Sequence, residues 1–336
     1  MITDTILDSS YFQAHIHTFT MKFLPFALLL VSSSHAFTLQ QTKPRVVHSL
    51  TNLHAANGAP QYDKFEATLH KAEVLGEGSV MLNIDTQESV EYEPGHVLAL
   101  EMETDDSIED DKTTKDAKDN GGWLRGPYTV SRSTDKTIDI LIKVVGDKSK
   151  RFSTAKSGTP MRFGGKFHVP ILEGIDVDTT KRVVMISTGV GIGPVVGAVE
   201  KALEKGDFPP IDLIASYRYE NEVVYKDHLN KLQTEHSDKF SWKTIISSEQ
   251  GRLSSSEENL KVLTDTSFNA DIDSTHYHLI GNGSMVGEFK SGLKKAGVPD
   301  EKVTVEMYFN HQAKSDGDVV DRIADSVMET AASAAR

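Results

Sequence analysis

The sequence predicts two domains: an antiparallel β-barrel over residues 63–175, then a doubly wound parallel α/β domain over residues 176–310. Three observations carry this fold class. The chain has 336 residues, more than a single hydrophobic core ordinarily serves. Up to about Ile175, short apolar runs are divided by Gly, Pro and Asp, as in antiparallel strands joined by turns. From Lys181 onward, strand-like and helix-like segments alternate, which builds a parallel sheet with helices on both faces.

Ahead of the barrel, residues 1–36 combine an extension with a secretory signal layout: Lys22, an apolar run from Phe23 to Val31, and small residues ending at Ala36. The run is too short to cross a bilayer, which takes roughly 20 apolar residues. Residues 37–62 carry Lys43, Arg45 and several hydroxyls, with no acid before Asp63, as in a transit peptide. Together the two segments predict a plastid wrapped in extra membranes, with simple secretion as the alternative. The sequon Asn282-Gly283-Ser284 falls in a loop assigned to a ligand below, where a glycan fits poorly.

Within the barrel the predicted strands are FEATLHKAEVL, SVMLNIDT, HVLALEME, YTVSRS and TIDILIKVV. Residues 103–122 are dense in charge and poor in apolar side chains, so they read as a solvated loop. In the second domain the strands are RVVMIST, IDLIASY, KTIIS, HYHLI and KVTVEMYF. Helices are predicted between them, from about Pro194 to Glu204 and over VVYKDHLNKLQTEH, SSEENLKVL and MVGEFKSGLKKAG. Residues 311–336 form a tail, with Val319, Val320, Ile323, Val327 and Met328 at helical spacing.

Composition removes several function classes. The absence of cysteine excludes disulfides, thiolate metal sites, catalytic thiols and cysteine-held iron–sulfur clusters. A formal charge of −13 is the wrong sign for gathering nucleic acid. His276 and His278 alternate along one strand with no third ligand in view, so no metal is predicted.

The strongest motif is Thr188-Gly189-Val190-Gly191-Ile192-Gly193-Pro194, directly after an apolar strand and directly before a helix. Glycines there let a backbone approach a pyrophosphate, and the helix N-terminus offers free N–H groups and positive partial charge. Proline suits the first helical turn because its missing N–H would have no partner there.

This loop resembles the Gly-Thr-Gly-Ile-Ala-Pro turn of the ferredoxin–NADP⁺ reductase superfamily, and the resemblance runs in order from about residue 64 to 310. It implies a flavin barrel followed by a nicotinamide domain, with FAD and NADP or NAD as cofactors. Arg125, Tyr128, Thr129 and Ser131 resemble the flavin motif, in which a Tyr stacks on the ring, a hydroxyl meets it and an Arg holds the pyrophosphate. Arg125 stands three places before Tyr128 instead of two, so either the strand is bulged or Arg132 takes the phosphate. Ser153 and Thr154 resemble the flavin phosphate segment, and Phe163-Gly164-Gly165-Lys166-Phe167 stands where the family has Gly-Pro-Phe-Gly.

Downstream, Gly281, Asn282, Gly283 and Met285 resemble the loop that guides the nicotinamide, with Ile280 at the family's cysteine position. Glu306, Tyr308 and Phe309 match the terminal strand that covers the flavin. Ser216, Arg218, Ser247 and Arg252 follow the next two strands, where relatives discriminate a 2′-phosphate, and NADPH is slightly favoured.

The resemblance implies hydride and electron transfer between NAD(P)H and an acceptor through FAD. A redox-inactive dinucleotide-binding sensor or assembly subunit is the alternative. Losing residues 1–36, with Lys22 against Asp4 and Asp8, leaves a formal charge of −12, so an acidic ferredoxin would be repelled. Lys143, Lys148, Lys150 and Arg151 are the one dense basic candidate near the flavin segment. The expected partner is therefore a small molecule or a different carrier.

Overall fold

The computed structural model describes residues 62–104, 117–118, 120–256 and 272–308. The presequence, most of the acidic loop, most of the helix predicted over SSEENLKVL, Phe309 and the tail lie outside these residues.

Seven antiparallel strands form the first sheet, in the order β4-β3-β7-β1-β2-β6-β5. They are β1 (Lys64–Gly76), β2 (Ser79–Thr86), β3 (Val97–Glu103), β4 (Trp123–Thr129), β5 (Arg132–Ser133), β6 (Thr137–Lys143) and β7 (Pro160–Gly164). Strand β4 stands at one edge and β5 at the other, yet only Val130 and Ser131 separate them in the chain. The Val130 amide still bonds toward the β3 edge at the His96 carbonyl, and the Ser131 amide already bonds to Asp139 on β6. The sheet is therefore curled onto itself, around a core that includes Leu69, Leu82, Leu98, Leu100, Leu124 and Phe163. Strand β7 and the helix α1 (Asp147–Thr154) have no counterpart in the sequence pattern, because α1 buries one side chain alone, Phe152.

Five parallel strands form the second sheet, in the order β10-β9-β8-β11-β12. They are β8 (Arg182–Thr188), β9 (Ile211–Tyr217), β10 (Phe240–Ile246), β11 (Thr275–Asn282) and β12 (Val303–Tyr308). The order reverses between β8 and β11, the switch point where such sheets open a ligand crevice. Helices α2 (Ile192–Lys205) and α3 (Lys226–Glu235) pack on one face together with Leu141 of the barrel. After the short α4 (Ser247–Gln250), helix α5 (Gly283–Lys295) covers the other face through Val286, Phe289 and Leu293.

Glycine sets how closely α2 meets the barrel. A Cβ on Gly193 would stand 2.5 Å from Ser131 Oγ and 2.8 Å from Leu141 Cβ, and one on Gly197 would collide with the Ser131 carbonyl oxygen. Ion pairs bracket the same junction: Arg132 donates to both oxygens of Glu200 at 2.6 and 2.7 Å, Lys201 reaches Glu93 at 2.6 Å, and Lys143 reaches Glu222 at 3.1 Å.

Candidate active site

The second-domain residues matched to the resemblance and described here stand on or near the carboxyl edge of the parallel sheet or on the loops leaving it. Thr188 ends β8 and leads into a 3₁₀ turn, Gly189–Gly191, before α2 begins. Its Oγ1 accepts from the Asn282 amide at 2.9 Å, tying the β8 loop to the β11 loop across the switch point. Gly281 allows that tie: its φ is +125°, and a Cβ there would collide with Thr188 Oγ1. Asn282 Oδ1 caps α5 by accepting from the Ser284 and Met285 amides at 2.9 and 3.4 Å, so the sequon side chain is engaged in the fold.

The glycines of the motif divide their work. Gly189 has a φ of +54° and nothing within 4 Å of its missing Cβ, so it alone faces open space. Gly191 lies under the second loop, 3.1 Å from the Ile280 carbonyl oxygen at the Cβ position. Gly193 belongs to the barrel contact, with Pro194 beside it in the first turn of α2. Gly191 and Gly193 are thus packing glycines, and Gly189 is not.

Ser216 is the penultimate residue of β9, opposite Ile245, and the Arg218 carbonyl accepts from the Ser248 amide at 3.1 Å, which draws Arg218 and Ser247 together. The Arg218 side chain lies over the Tyr219 ring, and Arg252 is exposed just beyond α4.

Strand β12 brings the barrel in. Thr129 Oγ1 donates to Glu306 Oε1 in a short hydrogen bond, and the Tyr308 hydroxyl is bonded to Thr129 as well. Burial pushes the Glu306 carboxyl up to about 8, against the opposing pull of the Thr129 bond. Burial raises Tyr308 further still, reinforced by Glu306. Across the sheet, Glu306, Ile280 and Ser187 occupy one rung. Glu306 Oε2 and Ser187 Oγ are both buried without a hydrogen-bond partner among the described residues. Ser187 carries no motif, and only strand pairing reveals it.

The flavin motif is arranged differently from its sequence reading. Tyr128 lies on the core face of β4, its ring edge-on to Phe152 at 5.3 Å and directly over Gly126. Arg125 is an odd number of residues away and so faces the other side, where it donates to the Tyr62 hydroxyl and stands 3.6 Å from Glu101. Glu101 also holds Lys64 at 3.0 Å and binds Arg162. Neither alternative for the displaced arginine fits: β4 pairs with β3 without a bulge, and Arg132 is bound to Glu200.

Ser131 is fully buried beneath α2, its Oγ accepting from the Leu141 amide at 3.2 Å, so it cannot meet a ring. Ser153 and Thr154 sit in the last turn of α1, where both hydroxyls donate back to the Lys150 carbonyl at 2.8 and 2.9 Å. The first turn of that helix, at Gly146–Ser149, is the end with anion-favouring polarity. In the basic cluster, Lys143 is engaged with Glu222 and Lys148 donates to the Arg125 carbonyl at 2.8 Å.

The Oxidoreductase NAD-binding domain family matches residues 185–290. The chain is similar to ferredoxin–NADP⁺ reductases in sequence and in fold. The flavodoxin/ferredoxin–NADP reductase of Buchnera aphidicola subsp. Schizaphis graminum is 27% identical over 175 residues, covering 49% of this chain and 67% of that relative. Among solved structures, a ferredoxin NADP⁺ reductase from Neisseria gonorrhoeae with bound FAD and NADP superposes with a TM-score of 0.59 at 18% identity, covering 74% of this chain and 100% of that one. A flavohemoglobin from Malassezia yamatoensis with bound FAD and heme gives a TM-score of 0.59 at 18% identity, over 73% of this chain and 60% of its own length.

Proposed function

We propose that the protein is a flavin-dependent oxidoreductase that takes hydride from NAD(P)H and delivers electrons to an acceptor through FAD. The observation that carries this reading is the junction of Thr129 with Glu306, which sets the edge strand of the barrel against the carboxyl edge of the parallel sheet. The residues there suit a flavin. Among the described residues strand β4 pairs with β3 alone, leaving its other backbone edge for a ring. Bound FAD would supply the electron-carrying chemistry, and the chain supplies position and electrostatics.

Tyr128, Thr129 and the first turn of α1 would hold FAD. Gly189, Val190 and the start of α2 would take the nicotinamide pyrophosphate, with Arg218 and Arg252 nearest a 2′-phosphate. Glu306 would keep a proton on its carboxyl at neutral pH, beside the hydroxyls of Thr129 and Tyr308. Ile280 offers an apolar floor between two oxygens.

Visible absorption of the purified protein, with mass analysis of the released cofactor, tests the reading: FAD is expected, and FMN or no flavin would overturn it. A diaphorase assay with NADPH and NADH then ranks the donors. The acidic charge supports an acceptor other than acidic ferredoxin, either a small molecule or another carrier. Cytochrome reduction with added ferredoxin should then lack the steep salt-dependent rise in Michaelis constant that attractive steering produces. The plastid address belongs to the same proposal and is tested by the destination of a fluorescent fusion to residues 1–62.

A further inference from the structure

Three buried atoms of the parallel sheet have no partner among the described residues: Ser187 Oγ and Glu306 Oε2 on the Ile280 rung, and His278 Nε2 two residues below it. They share one face. Val183, Met185 and Ile280 turn to the α2 side, so Ser187 and His278, each an even number of residues along, turn there too. Thr304 meets His278 from that face, and Glu306 is two residues beyond Thr304. Buried polar atoms are seldom left unpaired, and an enclosed water, which makes two to four hydrogen bonds, is the usual partner of such groups.

Hydrogen bonding behind His278 sets a direction. His276 Nε2 and His278 Nδ1 both lie 2.9 Å from Thr304 Oγ1. A hydroxyl has one hydrogen and two lone pairs, so with neutral imidazoles at least one of the two rings donates to it. Burial holds both rings neutral: His276 is lowered to about 4, with Lys302 adding to the effect, and His278 to about 3, with His276 and His168 adding. If His278 Nδ1–H donates to Thr304 and Thr304 donates to His276 Nε2, then His278 Nε2 is an acceptor. Glu306, protonated and with Oε1 already accepting from Thr129, needs such an acceptor for its hydrogen.

We propose that His278 is a positioning residue that receives the Glu306 carboxyl hydrogen bond through an enclosed water, extending a proton path along Thr304 to His276 at the base of β11. Lys302, held by Thr179 at 2.7 Å and Thr180 at 3.3 Å, is the cationic group acting on His276 at that far end, and the half-buried His168 acts on His278. Thr129 and Tyr308 face Glu306 from the near end. The path would let Glu306 exchange its proton without opening the cleft. That purpose rests on the oxidoreductase reading, but the hydrogen-bonded link does not.

Nitrogen NMR of histidine-labelled protein, recorded between pH 6 and 10 with and without flavin, tests the link. The expected result is a His278 with Nδ1 protonated and Nε2 bare, whose Nε2 shift steps at the midpoint of the Glu306 carboxyl carbon. The step should vanish in Glu306→Gln, which preserves shape, and Thr304→Val should scramble the tautomer. A protonated Nε2, or an Nε2 shift that stays flat through the carboxyl midpoint, would overturn the proposal. Absence of flavin would defeat the functional reading while leaving this outcome decisive for the link.

Discussion

In the parallel domain Thr188, Ser216, Ile246 and Asn282 finish or nearly finish their strands along one edge, whereas in the barrel Arg125 and Tyr128 leave a single strand on opposite sides. The contrast comes from what fixes each position. A strand–loop–helix turn at the end of a parallel strand delivers its residues to the ligand edge whatever the exact count, since the crevice lies outside the strand ends. In an antiparallel strand the side-chain period is two, so a displacement of one residue moves a group across the sheet. Arg125 illustrates the cost: one place nearer to Tyr128 it would have shared its face, and instead it joins Lys64 and Arg162 around Glu101.

The strongest test of this comparison separates a glycine that packs from one that faces open space. Gly197→Val should lose about 3 kcal/mol or more in urea unfolding, because the new side chain would overlap the Ser131 carbonyl. Gly287→Ala is the control, with nothing within 4 Å of its Cβ, and should stabilise α5 by roughly 0.5–1 kcal/mol. Equal stability in the two variants would mean that α2 does not seal the barrel in solution.

Next in size, Gly191→Val should slow flavin reduction by NAD(P)H about 100-fold, or about 2.7 kcal/mol, while the protein still retains flavin. Its side chain would push on the Ile280 carbonyl and part the two loops. Gly189→Ala should chiefly weaken nicotinamide binding, through left-handed strain of about 1–2 kcal/mol. Stopped-flow reduction over a range of nicotinamide concentrations distinguishes the two, and identical behaviour would erase the division drawn between them.

Arg125→Gln sharpens the barrel side. Removing a cation from the Glu101 cluster should cost about 1.5–3 kcal/mol of stability by denaturant titration, with less than about a threefold change in flavin affinity. Loss of flavin at preserved stability would show that Arg125 reaches the phosphate and that facing does not decide its role. Tyr128→Ala, by contrast, should lower flavin retention together with the packing against Phe152.

The gentlest effect is that of pH. His276 and His278 titrate near 4 and 3 when folded and near 6.5 when unfolded, so the unfolded chain binds more protons between those limits. Stability should therefore fall as pH drops below 6.5, by at most about 1.4 kcal/mol per pH unit for each ring. Glu306 acts in the opposite sense: its folded value near 8 lies above the unfolded 4.5, so its contribution is lost as pH rises through that range. A His278→Leu variant should show a shallower acid slope in urea midpoints, and an unchanged slope would mean that His278 is protonated in the folded protein.

By itself the sequence determined the barrel-like and parallel regions and their order, the five parallel strands and the strand-to-helix loop from Thr188 to Pro194. Those are local signals: hydrophobic period, glycine at a strand-to-helix turn, and residue type at a strand end. It did not yield α1 or β7, the burial of Ser131, the capture of Arg132 by Glu200, or Ser187 and His278 beside Glu306. Each of these depends on which strand lies next to which and on the residue facing it across the gap. Ser187 and Glu306 are 119 positions apart and meet on one rung only because β8 and β12 both pair with β11. Neighbourhood across a sheet is a property of register, and register is settled by the packing of the whole chain.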